Sequence, residues 1–292
     1  TDADYTKQTG VLTFLPNATE QKITIKIKGD TIYEPDETYS IDLSAPQNAT
    51  VTKSKGQGTI VNNDPIPTIS VADISSIELD AGLGFADLTV RLSGPSGGRT
   101  TLSYVTVPGT ATPNNDYFPA NGTLTIAAGA TTGSIRVVIA SDKLHEANET
   151  LLVTLADAVG AAIPGGSTSA TITIVDNDPP PSIAISDVTL AEGNAGVQNA
   201  VFTVTLSALS GTPTTVVYET AGDTATPGID FTPTQGTLTI PVGSTTGKIT
   251  VPVLGDTADE PDETFFVNLS APTDGTLADA VGLGTITNDD VS

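Results

Sequence analysis

The chain has 292 residues, with 34 Asp and Glu against 11 Lys and Arg, for a formal net charge of -23. With no Cys, no Met, no Trp and a single His, it excludes disulfides, thiolate metal sites and thiol nucleophiles, and it has little from which to build a basic face for nucleic acid or anionic membrane. Without Met, residue 1 is not read as a translation start, so the chain is expected to be a processed product or part of something longer.

Taken in chain order, the predicted elements are short strands of period two. Ile23, Ile25 and Ile27 share one face, as do Tyr39, Ile41 and Leu43. Leu88, Val90 and Leu92 follow, then Ile135, Val137 and Ile139, then Leu151, Val153 and Leu155. The last third opens on Ile183 to Ile185 and continues with Val201 to Leu206, Thr215 to Glu219 and Thr237 to Ile240. It ends with the faces Ile249, Val251, Val253 and Phe265, Val267, Leu269, and with Leu283 to Thr287. Gly and Pro punctuate these runs, and no useful helical period is present. No run approaches the ~18 apolar residues of a membrane-spanning helix. About seven period-two strands per unit predict a two-sheet sandwich.

The units repeat. Asp30, Glu34, Glu37, Thr38 returns as Asp142, Glu146, Glu149, Thr150 and again as Asp256, Glu260, Glu263, Thr264. Asp4-Tyr5 returns as Asp116-Tyr117 and Asp230-Phe231. Each unit closes on a polar triplet: Asn62-Asn63-Asp64, Asp176-Asn177-Asp178 and Asn288-Asp289-Asp290. This predicts three domains: 1–64, holding only the second half of a unit, and the complete units 65–178 and 179–292.

The units resemble the Calx-β domain of sodium–calcium exchangers, β-integrin tails and large bacterial surface proteins. The resemblance rests on Ser186–Gly193, Asp223–Phe231, Gly236–Ile240, Gly255–Phe265 and Gly284–Asp290, in that order. It implies tandem Ig-like antiparallel β-sandwiches, all-β, with the first repeat incomplete. It also implies that an early Glu, a long acidic loop and the closing triplet meet at one pole. Carried over, the metal ligands of the third unit are Glu192, Asp256, the carbonyl of Ala258, Glu260, Asp289 and Asp290. Those of the second are Glu78, Asp142, the carbonyl of Leu144, Glu146, Asp176 and Asp178, with Asn177 as a further amide oxygen. The half unit keeps Asp30, the carbonyl of Ile32, Glu34 and Asp64.

Oxygen-only ligands in this number suit Ca²⁺, which takes 6–8 oxygens at roughly 2.3–2.6 Å. The plainer reading is a solvated acidic pole, since Asp and Asn favour turns on their own. Glu37, Glu149 and Glu263 then read as cross-strand surface charges. His145 reads as a surface residue, because Tyr33 and Asp259 stand at its position in the other units and no nucleophile surrounds it. The Asn-x-Ser/Thr sites at Asn17, Asn48, Asn121, Asn148 and Asn268 receive no role.

The expected function is a non-enzymatic, calcium-binding, extracellular or cell-surface repeat segment, a stalk, matrix or filament part of an adhesion protein. Ca²⁺ would stiffen the joints Asp64-Pro65-Ile66-Pro67 and Asp178-Pro179-Pro180-Pro181. Expected partners are calcium ions and neighbouring repeats, or other subunits by strand complementation of the half repeat. The alternatives are calcium-sensing regulatory domains of a cation exchanger and accessory repeats of a secreted hydrolase.

Overall fold

Apolar residues, mostly Val, Ile and Leu, alternate with Thr and Ser, so that strands bury one face and solvate the other. The computed structural model describes residues 4–291, and among these it contains twenty strands and no helix, as the periodicity predicts. In the first repeat, β1 (Glu37–Asp42) and β2 (Lys55–Ile60) pair antiparallel. The second repeat supplies β3 (Ile69–Val71), β4 (Ile74–Ile77), β5 (Gly84–Leu92), β6 (Thr100–Pro108), β7 (Tyr117–Phe118), β8 (Asn121–Ile126), β9 (Thr132–Ile139), β10 (Glu149–Val159) and β11 (Ser167–Val175). The third supplies β12 (Ser182–Ile185), β13 (Val188–Ala191), β14 (Gly196–Leu206), β15 (Thr214–Gly222), β16 (Gln235–Ile240), β17 (Thr246–Gly255), β18 (Glu263–Thr273), β19 (Thr276–Asp279) and β20 (Val281–Thr287). The second repeat forms sheets of order β3-β5-β9-β7 and β4-β11-β10-β6-β8, and the third β17-β14-β12-β19 and β13-β20-β18-β15-β16.

By its contacts the chain divides into two compact units. The first comprises residues 1–75, 85–138 and 150–173. Its β5 alternates strictly, with Ala86, Leu88, Val90 and Leu92 buried. In the first repeat the rings of Tyr5 and Tyr39 lie 5.2 Å apart. The strand expected over Ile23, Ile25 and Ile27 does not form there; only Ile27 makes a bridge, to Tyr5. Its counterpart in the third repeat, β17, is held by ten residue pairs with β14 from Thr205↔Thr246 to Gly196↔Gly255. Residues 23–27 have no such partner among the described residues, and alternation alone does not hold a strand.

The second unit comprises residues 76–84, 139–149 and 174–292. It holds the third repeat together with the loops that carry the second repeat's candidate ligands. Its core packs Phe202, Phe231 and Phe265 with the Ile, Val and Leu faces of β12, β14, β17, β18 and β20. Phe231 stacks on Phe265 at 4.7 Å, and Phe202 meets Phe265 edge-on at 5.8 Å. Such pairs contribute about 0.5–1.5 kcal/mol beyond burial itself. Two parallel pairings, β12 with β19 and β13 with β20, interrupt the antiparallel pattern. The second of these positions the site.

Candidate metal centre

In the third repeat β13 runs parallel to β20 in the register Leu190↔Ile286 and Ala191↔Thr287. Parallel neighbours end at the same side of a sheet. Glu192, the next residue, therefore emerges beside Asn288-Asp289-Asp290, its N–H bonding Thr287 O at 3.3 Å. The β14–β17 pairing brings the loop after Gly255 to the same end. Gly255 is required there, because an added Cβ would collide with the carbonyl oxygens of Glu192 and Gly193.

Two acidic trios result. Glu192, Asp289 and Asp290 offer oxygens within 4.8 Å of one another, as do Asp230, Glu260 and Glu263. Glu192 is 4% exposed. Its carboxyl is raised above the usual range by burial first, then by the charges of Asp256, Glu260, Asp290 and Asp289. Glu263 is pushed up to about 7 by burial, then by a hydrogen bond shared with Asp230 and by the charge of Asp230. The loop is organised from within. Ala258 N–H bonds Asp256 Oδ1 at 2.6 Å, and the Asn288 amide bonds Asp259 Oδ1 and Asp290 O, each at 3.1 Å. Ala258 enters the described contacts through its N–H. Gly193 N–H bonds Asp289 Oδ1 at 3.0 Å, and Asn194 Nδ2 bonds Asp290 Oδ1. Asp290 Oδ2 is shielded from solvent and has no hydrogen-bond partner.

The second repeat repeats this plan with two substitutions. Glu78, only 5% exposed, bonds Val175 O through its N–H at 2.9 Å, which brings it to the closing triplet. Burial pushes the Glu78 carboxyl up to about 7, assisted by Asp142, Glu146 and Asp176. Leu144 N–H bonds Asp142 Oδ1 at 2.7 Å, the same turn as at Ala258. Asp178 Oδ2 is buried without a partner, like Asp290 Oδ2, and the Asp178 carboxyl is raised by burial and by Asp80 and Asp176. Asn177 stands where the third repeat has Asp289, and its amide donates to Asp80 Oδ1 at 2.8 Å. His145 Nδ1 lies 3.0 Å from both Asp176 Oδ2 and Asp178 O, so the imidazole props the triplet and is only half exposed. Among the described residues no tight trio closes around Glu78.

In the first repeat Asp30 and Glu34 gather with Asp4, not with Asp64 as the tight third member. Asp64 lines the same cleft, of about 110 Å³, with Asp4, Asp30, Glu34 and Glu37. Ile32 N–H bonds Asp30 Oδ1 at 2.8 Å. Glu37 is raised by its hydrogen bond to Asp4.

From sequence, Asp4 and Asp230 carry no site role, and Glu37 and Glu263 read as cross-strand surface charges. Their signal was the strict recurrence of Asp before an aromatic ring and of Glu three positions after the loop Glu. Asp230 Oδ2 also accepts the Thr226 N–H at 2.6 Å, so this residue shapes its own turn while presenting an oxygen to Glu263. Carboxyls in contact share a proton or a cation, because both cannot stay charged and bare. An all-oxygen donor set with shielded, unpartnered carboxylate oxygens fits a hard divalent cation.

The family model described as Calx-beta domain matches residues 1–66, 63–178 and 182–289. Among curated proteins, the chain is 30% identical over 300 residues to Adhesion G-protein coupled receptor V1 of Danio rerio, covering 98% of this chain and 5% of that protein. It is 28% identical over 235 residues to Sodium/calcium exchanger 1 of Rattus norvegicus, covering 73% of this chain and 24% of that protein. The chain therefore spans a small fraction of either relative. Among solved structures, CBD12 from CALX1.2 is similar at 18% identity and a TM-score of 0.36, over 75% of this chain and 99% of that one.

Proposed function

The chain belongs to the Calx-beta domain family, and on that premise we propose that it is a non-enzymatic calcium-binding repeat segment. Its repeats are 1–64, 65–178 and 179–292. The segment serves at the cell surface or outside the cell, as a stalk, matrix or filament part of an adhesion protein, with neighbouring repeats as its partners. Ca²⁺ would be held by Glu192, Asp256, Ala258, Glu260, Asp289 and Asp290 in the third repeat. In the second the ligands are Glu78, Asp142, Leu144, Glu146, Asp176 and Asp178, and in the first Asp30, Glu34 and Asp64. Asp230 with Glu263, and Asp4 with Glu37, extend the outer two sets. The match along nearly the whole chain to a protein named as an adhesion receptor supports the surface role.

The observation that carries the reading is the pair Asp178 Oδ2 and Asp290 Oδ2, shielded and without a hydrogen-bond partner, the second of them grouped with the buried Glu192. Leaving a charged oxygen in that state is costly unless a cation meets it. Bound calcium supplies the positive charge; the residues hold the oxygens in place through the Asx turns at Asp142 and Asp256 and the Asn288 amide. Binding that favours only the folded state stabilises it by about 2.7 kcal/mol at a hundredfold excess over Kd. Titration calorimetry with calcium, paired with thermal melts in calcium and in chelator, tests this. Heat uptake or release and a higher melting temperature are expected. No heat and no stabilisation at millimolar calcium would reduce the chain to a structural repeat.

A further inference from the structure

The acidic loop of one repeat is pinned to a Ser-Gly step in the next. His145 forms a parallel bridge with Ser210. Gly211 N–H donates to His145 O at 3.0 Å, and Ser210 Oγ donates to the same carbonyl at 3.3 Å. The pattern recurs one repeat earlier, where Tyr33 bridges Ser96 and Gly97 N–H donates to Tyr33 O at 2.9 Å. Both serines are 3% exposed. The residues at 33 and 145 differ, but only their backbones are used, so the bond tolerates Tyr in one and His in the other.

The glycine of each step lies against a candidate ligand. A Cβ added at Gly211 would stand 2.5 Å from Glu146 Cγ and 2.7 Å from its Cδ. At Gly97 the same distances, 2.5 and 2.7 Å, are met by Glu34. Carbon atoms do not approach that closely, so the bare Cα is what lets each Glu side chain rest where it does. Neither glycine has a left-handed φ. Alanine therefore suits the backbone at both positions, and the clash falls on the mobile end of the Glu side chain.

We propose that Gly211 and Gly97 are positioning residues for the metal sites of the preceding repeats: the acidic poles of the first and second repeats are finished by the repeat that follows each. Glu146 and Glu34 are held from behind by the next repeat's backbone, and calcium affinity at one pole depends on that backbone. This rests on the calcium reading above.

The test uses the full chain with the first and third clusters silenced by Glu34→Ala and Asp290→Ala, so that calcium titration reports the second repeat. Gly211→Ala in that chain is expected to weaken calcium binding by about tenfold, the scale seen when a ligand loses its supporting partner. The melting temperature in chelator should stay near that of the parent. Adding Gly211→Ala to Glu146→Ala should cause no further loss, because the side chain it displaces is no longer there. Unchanged affinity in Gly211→Ala would overturn the proposal, as would an equal loss in the Glu146→Ala background, which would make the effect one of folding. Absence of calcium binding in the unmutated chain would instead overturn the calcium reading and this inference with it.

Discussion

Glu78 shows how a single side chain joins fold to function. It is nearly inaccessible, and its carboxyl is pushed from 4.5 to about 7 by burial and by Asp142, Glu146 and Asp176. The folded, metal-free chain then holds this proton more tightly than the unfolded chain does. The resulting stability is fully present below about pH 4.5 and is lost as pH rises through about 7. In chelator, the melting temperature is expected to fall across that window, and Glu78→Gln should flatten the fall. Glu263, also pushed up to about 7, adds to the slope in the same direction. In calcium the trend should reverse, because ligand carboxyls must lose their protons to bind. A metal-free melting temperature that stays level or climbs from pH 4.5 to 7 would show that these carboxyls are not the destabilising groups.

Most strands were legible, because alternation reports which face is buried. Phe202, Val204 and Leu206 in β14, and Phe265, Val267 and Leu269 in β18, are all buried as their spacing predicts. Alternation does not report partners. Ile23, Ile25 and Ile27 alternate as well as any segment, yet they form no strand and meet no counterpart of β14 among the described residues. Nor does it report what happens past a strand end. Glu263 heads β18 and reads from sequence as a surface charge. The turn from Thr226 to Asp230 brings a second carboxyl against it and half buries it. The early Glu of the second and third repeats reached the pole only through the family resemblance, since a parallel pairing such as β13–β20 has no local sequence signal. β18 also carries the energetic centre of its sandwich, because Phe265 touches both other buried rings. Phe265→Ala is expected to cost about 3–5 kcal/mol, measured by denaturant unfolding. A cost under about 1 kcal/mol would mean that the core collapses around the cavity and that the ring stack is incidental.

At the scale of the whole chain, the charge of -23 poses a choice between diffuse screening and specific binding. The two respond differently to salt. Carboxylates spread over a surface are screened as the Debye length shrinks from about 30 Å at 0.01 M to about 3 Å at 1 M, whatever the cation. Groups as enclosed as Glu78, Glu192 and the Oδ2 atoms of Asp178 and Asp290 are screened far less. In chelator, raising sodium chloride across that range should therefore raise the melting temperature only modestly, by relieving the exposed share of the repulsion. Calcium at millimolar concentration, which hardly changes ionic strength, should raise it more. Magnesium at equal concentration separates the two explanations further. It contributes the same charge but demands near-octahedral geometry and gives up its water reluctantly, whereas these poles offer several crowded carboxylates. Calcium stabilisation well above that of magnesium is the expected order. Equal stabilisation by the two ions, matched by sodium at the same ionic strength, would return the acidity to a general surface property and remove the case for built sites.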